Sequence, residues 1–564
     1  MNTGKIEHIL LISFCALIII PLLYIYRFVD DNTFTSWRWV FSATILLRVF
    51  FLLLPAILCA YALSRHAFSG PSACIFLFVL SAASIIPLWQ GPEAVIDASR
   101  YFVHAKSLKE YGAVYFIKEW GNSIHAWTDM PLVSFIYGLV FSWFGEARIY
   151  IQAFNTLLFA LTSLLTFLIG KQLWDEDTGV HAGLLLLGIP YLITQVPLML
   201  VDVPTMFFVT LSIYVFLNAL DRGGFPWIAG SSLAIFLAVF SKYSTWLMLS
   251  VIPLITAVLI RRSPKKILVR ALSVLLMSGI LTALAVYFRY DLFQEQITLL
   301  TTYQWSGLSR WQEGFISTFL YQIHPFVTIL ALFGIYRAVR ARNLRFLIAG
   351  WFVIFVVLLQ IKRIRYILPL FPLFVLMASY GLGVIKDKGM TKFITLCIAA
   401  SSLVIVYSAY LPFLNRTGMV NLKHAGHYLN TIDCEFVEVY ALPQKSSSGS
   451  TFAVLPILDY YTEKNLIFPQ KWPSRPVDSN TQKSSLRFTW EMERPYFYSQ
   501  PETYNRCAVV IISSEALDNA PKETTGGASG TLIELKRFDL LSEMFKYQTV
   551  VTILGTDHLS QKGQ

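Results

Sequence analysis

Acidic side chains stand next to the ends of apolar runs in this sequence, at positions where they could act on a substrate. Asp97 follows an apolar run and precedes an amphipathic stretch, and Asp202 lies between two apolar runs. A positioned carboxylate can remove a proton from a hydroxyl group, and a lone acid among apolar segments is costly unless it has a partner. Each Asp could instead cap the helix that follows it. The sequence leaves both interpretations open.

Basic residues accompany these acids. Lys242 lies at the junction of two apolar runs, and Lys362-Arg363-Ile364-Arg365 forms a cluster between two others. Because an Arg fork binds phosphate oxygens bidentately, the cluster indicates an anion site. The alternative is a group of long side chains that reach lipid headgroups. Further candidates for the same pocket are Glu93, Arg100, Tyr101, Asp129, His324 and Tyr366.

A cofactor is not certain from these residues. Asp97 and Asp202 could hold a divalent metal ion through their carboxylate oxygens, so metal dependence stays open. The sequence contains no Walker loop, dinucleotide fingerprint, zinc-ligand spacing or nucleophile elbow. These absences argue against a nucleotide-hydrolysing pump.

The elements that must position these residues are membrane helices. Of 564 residues, 55% are hydrophobic and 14% are charged, and the mean hydropathy is +0.58, whereas soluble domains carry about 25% charged residues. Counting apolar runs of about 20 residues predicts about 13 transmembrane helices. They are expected at 7–26, 42–63, 71–89, 147–170, 179–195, 204–220, 226–241, 243–260, 268–288, 323–340, 344–361, 367–385 and 392–412. The apolar run 131–144 is too short to span and suits an interfacial or re-entrant helix.

The distribution of Lys and Arg in the short loops predicts the orientation. It places the N-terminus in the cytoplasm, in a multi-pass protein of the plasma (inner) membrane. Three larger segments then lie outside, namely two loops at about 90–146 and 289–322 and the tail at about 413–564. Since the net charge of +11 arises largely in short loops between spans, it indicates topology, and no nucleic-acid partner is expected.

The tail mixes short β-rich runs with helical stretches, which predicts a small extracytoplasmic α/β domain. It contains Cys434 and Cys507. Outside the cytoplasm these two residues could form a disulfide, or each could be buried separately as a free thiol.

Four segments in a fixed order carry a resemblance to a known family. They are Asp97-Ala98-Ser99-Arg100-Tyr101, Thr128-Asp129-Met130-Pro131-Leu132, Asp202-Val203-Pro204 and Arg365-Tyr366-Ile367-Leu368-Pro369. This set resembles the lipid-phosphate-sugar-dependent glycosyltransferases of GT-C fold, in the branch of protein O-mannosyltransferases and lipid A aminoarabinose transferases. The resemblance covers roughly residues 71–412, so the two spans in residues 1–70 are an addition. Ala98 stands where the family usually has a second acid, which argues against a paired-carboxylate role there.

The resemblance implies an α-helical polytopic membrane protein with a GT-C-like catalytic domain at 71–412 and the α/β domain at 413–564. It implies inverting transfer of a hexose or pentose from a polyprenyl-phosphate donor to a hydroxyl of a lipid, glycan or protein on the extracytoplasmic face. Asp97 would be the general base, and Asp202 would orient the acceptor or the sugar, or position a cation. The donor phosphate would meet Lys242, Lys362, Arg363 and Arg365.

The main alternative is a secondary transporter or flippase of lipid-linked sugars. Transporters place ionisable groups near the membrane midplane, often within repeated halves. In this sequence the notable charges lie at the ends of apolar runs, and no internal repeat is visible. The pattern therefore favours the transferase.

Overall fold

The chain is described by a computed structural model. It covers residues 6–7, 9–13, 17, 40–41, 44–66, 69–124, 126, 129–299, 301, 314–442, 451–470, 495–499, 507–513, 515–516, 532–540 and 549–556. Most of the predicted first span (7–26), the middle of the second large loop (302–313) and Thr128 lie outside these residues.

Helices make up most of the described chain. In chain order they are α1 Leu46–Ser64, α2 Gly70–Gln90, α3 Asp97–Glu119, α4 Pro131–Phe144, α5 Arg148–Leu173, α6 Glu176–Leu185, α7 Pro190–Gln195, α8 Asp202–Arg222, α9 Phe225–Ser241, α10 Thr245–Arg262, α11 Pro264–Phe288, α12 Tyr290–Leu299, α13 Pro325–Ala341, α14 Phe346–Leu358, α15 Ile364–Leu382, α16 Lys388–Leu414, α17 Met419–Leu429 and α18 Thr451–Asp459.

The prediction of a multispanning helical membrane protein is confirmed. Within the described residues, eight helices are long and apolar enough to cross a membrane, and α4, α9 and α14 are shorter apolar helices. The predicted span at 179–195 is broken into α6, a 3-10 turn and α7. Pro190 explains the break, because proline lacks the backbone N–H that would continue the helix and is favoured as the first residue of a new one.

Helix α15 carries Arg365 and is fixed by close packing against α13. A Cβ atom on Gly381 would lie 2.1 Å from the carbonyl oxygen of Leu330, and one on Gly334 would lie 2.3 Å from that of Met377. These two glycines therefore let the helix backbones approach closely, as small residues do in membrane helix pairs.

The C-terminal part forms the small α/β domain that the sequence predicts. Its strands are β1 Phe436–Ala441, β2 Asn465–Ile467, β3 Ala508–Ser513, β4 Ile533–Phe538 and β5 Val550–Gly555, in the order β2-β1-β3-β5-β4. β1 pairs parallel with β2 and β3, while β5 pairs antiparallel with β3 and β4. A disulfide joins Cys434 to Cys507, just before β1 and β3, with the Cα atoms 5.8 Å apart. It therefore links two neighbouring parallel strands at their starts.

Candidate active site

Asp97 and Asp202 are each the first residue of a helix. Asp97 begins α3 after Ile96, and Asp202 begins α8 after Val201; neither preceding residue makes a side-chain cap. The two carboxylates bind cationic side chains from other helices instead. The interpretation of these two residues as simple helix caps is therefore wrong, because neither stands at the cap position and both carboxylates form ion pairs with other helices.

Four charged residues form what we term the ion cluster, namely Asp97, Asp202, Lys242 and Arg365. The Nε atom of Arg365 lies 2.8 Å from Oδ2 of Asp202, and its Nη1 atom donates to Oδ2 of Asp97. The Nζ atom of Lys242 lies 2.5 Å from Oδ1 of Asp202. Asp202 is thus shared between two cations, and Arg365 joins the two acids.

Burial makes this pairing necessary. Asp202 is fully buried, and Lys242 and Arg365 are each 7% exposed. A buried charge costs several kcal/mol unless a partner compensates it, and the cluster balances two acids with two bases. The Asp97 side chain keeps 19% of its surface exposed. Asp97 is therefore the acid of the cluster that an incoming substrate can reach.

The electrostatic surroundings keep Asp97 ionised. Burial by itself raises the pKa of its carboxyl, but the positive charges of Arg365 and then Arg100 outweigh burial and hold this pKa below its usual value. A carboxylate that is deprotonated at neutral pH can accept a proton, which is the state that a general base requires.

Two further predicted residues lie beside the cluster. The Tyr366 ring is 6.0 Å from the Lys242 ammonium and 5.1 Å from the Arg363 guanidinium. Arg363 also donates a hydrogen bond of 3.3 Å to the Tyr366 hydroxyl. Two cations from different segments therefore face one aromatic ring, and this arrangement suits a phosphate group. Lys362 does not face this ring. It is exposed, and its ammonium lies over the Phe315 ring at 5.9 Å.

A second buried ion pair follows Asp97 on the same helix. Arg100 pairs with Asp129 at 2.6 Å, and the Tyr101 hydroxyl donates to Asp129 at 3.2 Å. Burial raises the pKa of Asp129, and Arg100 partly offsets this effect. Arg100, Tyr101 and Asp129 thus form one wall next to Asp97.

Glu93 and His324 have structural partners. Glu93 is fully buried and pairs with Arg148 at 2.8 Å, while its second oxygen accepts the Met199 backbone N–H at 3.2 Å. His324 caps α13 by accepting the Phe326 N–H, and its Nε2 atom is 3.0 Å from the Ser401 hydroxyl. None of the contacts described for Glu93 and His324 is with a member of the ion cluster.

An apolar groove of about 440 Å³ opens next to Asp129. Its walls come from α3, α4, α9, α11 and α12, and they are lined by Phe116, Ile117, Trp120, Asp129, Met130, Pro131, Leu132, Phe135, Phe236, Phe240, Ala285, Phe288, Arg289, Leu292, Phe293 and Gln296. The individual apolar residues carry no chemical signal in the sequence, so the sequence does not predict them as part of a site. Only the packing of five helices brings them together.

The carboxylate oxygens of the ion cluster fit a guanidinium group better than a resident metal ion. Among the residues that the structure describes, no three His, Cys, Asp or Glu side chains are close enough to share an ion. The Oδ2 atom of Asp97 and the Oδ2 atom of Asp202 both bind Arg365. Ca²⁺ and Mg²⁺ take six or more oxygen ligands, and the cluster supplies few carboxylate oxygens that are not already hydrogen-bonded.

The fold and the site define a multispanning membrane protein with a buried charged cluster at helix ends and a small α/β domain. Residues 128–288 match the family model described as dolichyl-phosphate-mannose-protein mannosyltransferase. This match contains Asp129, Asp202 and Lys242. No curated protein matches the chain.

Solved structures of ArnT share the fold of this chain. ArnT from Cupriavidus metallidurans bound to undecaprenyl phosphate is 13% identical with a TM-score of 0.53, covering 86% of this chain and 98% of that one. Its apo state is 12% identical with a TM-score of 0.51 and the same coverage. The archaeal oligosaccharyltransferase AglB from Archaeoglobus fulgidus, in complex with an inhibitory peptide and a dolichol-phosphate, is 12% identical with a TM-score of 0.46, covering 78% and 69%. The likeness to ArnT and the family match confirm the resemblance to the GT-C fold.

Proposed function

We propose that this protein is an integral membrane glycosyltransferase that moves a sugar from a polyprenyl-phosphate donor to an acceptor hydroxyl with inversion. One observation carries the proposal. Asp97 and Arg365 are 268 positions apart in the chain, and Asp202 and Lys242 are 40 positions apart, yet all four form one buried cluster. Folding alone does not require such a costly group of charges, so a functional role accounts for it.

The proposed reaction is a single in-line displacement. Asp97 takes the proton of the acceptor hydroxyl while the hydroxyl oxygen forms a bond to C1 of the sugar. The bond between C1 and the phosphate oxygen breaks, and its electron pair leaves with the polyprenyl phosphate. Attack opposite the leaving group inverts the configuration at C1.

Negative charge grows on the departing phosphate, and preorganised cations would stabilise it most in a site that excludes water. Lys242 and Arg363 face Tyr366 and are the best placed to meet the phosphate. Arg365 joins this region to Asp97, so a phosphate that approaches Arg365 also approaches the base. Asp202 holds Lys242 and Arg365 in place and acts as a positioning residue. Lys362 points towards Phe315 and contributes at most at long range.

The apolar groove supplies a place for the polyprenyl chain. It ends beside Asp129, and Asp129 pairs with Arg100, one turn after Asp97 on the same helix. A chain lying in the groove would therefore bring its phosphate close to the ion cluster. ArnT, which shares the fold, has been solved with undecaprenyl phosphate bound.

The variant Ala285→Trp tests the groove. Ala285 lines it, so the added indole should compete with a long prenyl chain and raise the KM for a long-chain donor about ten-fold, in line with the cost of overfilling a packed space. A donor with a short prenyl chain should react normally, because it does not reach that depth. Leu284→Trp is the matched control, since Leu284 is the neighbouring residue and is 52% exposed on the outer side of the helix. An unchanged KM for the long-chain donor would remove the groove from the proposal.

We place the ion cluster on the extracytoplasmic face and the N-terminus in the cytoplasm. Lys242 precedes α10, whereas Arg261 and Arg262 end it. Lys265 and Lys266 then begin α11, so four basic residues gather in one short turn opposite the cluster. The cytoplasmic side of a membrane protein carries such excess Lys and Arg in its short loops.

Comparing cells with and without the gene tests the whole function. Mass spectrometry of the lipids, glycans and glycoproteins of the cell envelope should show one component that loses a single hexose or pentose when the gene is absent. The purified protein should then restore that sugar from a polyprenyl-phosphate donor. A transporter or flippase would instead leave the purified protein unable to form the product.

A further inference from the structure

Three consecutive residues of the C-terminal domain, Asp459, Tyr460 and Tyr461, contact the membrane domain close to Asp97. They are 2%, 4% and 5% exposed, respectively. Asp459 is the last residue of α18, and Tyr460 and Tyr461 follow it. Helix α18 packs along α3. Because α3 begins at Asp97, this contact lies on the helix that presents the proposed base.

Tyr461 holds the backbone that leads into Asp97. Its hydroxyl accepts a hydrogen bond of 2.6 Å from the backbone N–H of Glu93, four residues before Asp97. The Arg148 guanidinium lies 5.5 Å from the centre of the Tyr461 ring and also pairs with Glu93. Lys423 of the same domain also reaches this loop, where it donates to the backbone oxygen of Gln90.

Tyr460 and Asp459 hold the helix after Asp97. The Tyr460 ring packs on Phe102 with centroids 5.1 Å apart. Asp459 pairs with Lys106 at 2.8 Å and accepts the Tyr498 hydroxyl at 2.7 Å. Tyr460 and Asp459 thus contact successive turns of α3, at Phe102 and Lys106 respectively.

The first turn of a helix is a natural weak point. Its first four backbone N–H groups have no partner within the helix, so helix ends fray more readily than helix interiors. Asp97 occupies this turn. A carboxylate that must stay within hydrogen-bond reach of both Arg365 and a substrate needs support on both sides of the turn.

We propose that Asp459, Tyr460 and Tyr461 position the catalytic base by bracing the loop before Asp97 and the helix after it. The inference rests on the proposed function. In the described contacts these residues touch neither the reacting atoms nor any member of the ion cluster. They therefore act indirectly, by holding the backbone on both sides of Asp97. The α/β domain is then part of the catalytic machinery.

Tyr461→Phe and Asp459→Asn test this role. The first removes only the hydroxyl that binds the Glu93 N–H, and the second removes the charge that pairs with Lys106. Each should lower kcat roughly ten-fold or more, since displacing a reacting group by about 1 Å costs up to about 100-fold. The KM for the donor should stay unchanged, because the phosphate residues lie on other segments. Tyr428→Phe is the matched control, since its ring packs on Phe538 within the α/β domain at 6.2 Å.

The pH profile separates positioning from a loss of folded protein. Arg365, Arg100 and Arg363 hold the pKa of Asp97 below its usual value, and Asp129 is the acidic group that interacts with it. If a variant lets Asp97 move away from Arg365, this pKa rises and the base becomes protonated at higher pH. The loss of kcat/KM relative to the wild type should then be larger at about pH 5 than at about pH 8.

Two results would overturn the proposal. One is a kcat within about two-fold of the wild type in both variants, which is smaller than the effect of a misplaced base. The other is an equal loss at both pH values that matches the loss of folded protein. Asp97→Asn distinguishes the possible failures: if it keeps activity, the base assignment itself is wrong, and if it is inactive while both variants are normal, only the positioning role is wrong.

Discussion

Asp97→Asn is expected to lower kcat by about 10²- to 10⁴-fold, the usual contribution of a general base. Asn has nearly the same shape as Asp, and its carbonyl oxygen can still accept the hydrogen bond that Arg365 donates. It cannot take a proton from the acceptor hydroxyl. Arg365 also keeps its pair with Asp202 at 2.8 Å, so the cluster retains a buried partner for each cation.

Single-turnover transfer by purified protein measures this effect, and donor affinity is measured in the same sample. The donor should bind with unchanged or slightly higher affinity, because the variant removes a negative charge near the phosphate site. Asp177→Asn is a suitable control, since Asp177 pairs with the exposed Lys388 and lies in α6, away from the cluster. Transfer at the wild-type rate in Asp97→Asn would show that another group removes the proton.

Arg365→Ala has two expected effects, and they can be separated. Losing a charged hydrogen bond to the phosphate should weaken donor binding by about 1.5–3 kcal/mol, or roughly 10- to 150-fold. The variant also leaves buried Asp202 with Lys242 as its one partner in the cluster and deprives Asp97 of its bond to Arg365. Removing one member of a buried ion pair costs about 3–5 kcal/mol, so the protein should also be less stable.

A double variant distinguishes stability from binding. In Asp97→Asn combined with Arg365→Gln, both charges of one pair are removed and Asp202 keeps its pair with Lys242, so stability should recover towards the wild type while donor affinity should not. The thermal midpoint and the donor Kd report the two effects. Arg340→Ala serves as the control, because Arg340 is exposed and lies in the last turn of α13. Normal donor affinity in Arg365→Ala would remove Arg365 from the phosphate site.

The sequence predicted the helices well because their causes are local. Apolar runs long enough to span, proline at helix starts and basic short loops can all be read along the chain. The short helix α4 begins at Pro131 and ends before Gly145, as its length and flanking residues predict. The break between α6 and α7 was missed although Pro190 signals it, because the span was predicted from the length of the apolar run alone.

The residues of the site were predicted only as candidates. Charge and position selected Glu93 and His324 as readily as Asp97 and Arg365. The structure separates them, because Glu93 pairs with Arg148 and His324 caps a helix, whereas Asp97 and Arg365 bind each other. A single sequence does not show which buried acid pairs with which buried base.

The amino-acid sequence by itself determined that this is a multispanning membrane protein, which of its residues are charged at helix ends, and that an α/β domain follows the helices. Those properties depend on neighbouring residues and on the low cost of apolar side chains in lipid. Only the tertiary structure decided that Asp97, Asp202, Lys242 and Arg365 share one cluster, that an apolar groove opens beside Asp129, and that Tyr461 reaches the loop before Asp97. Such contacts join distant parts of the chain, and helix packing sets them because a buried charge is stable only where its partner is brought to it.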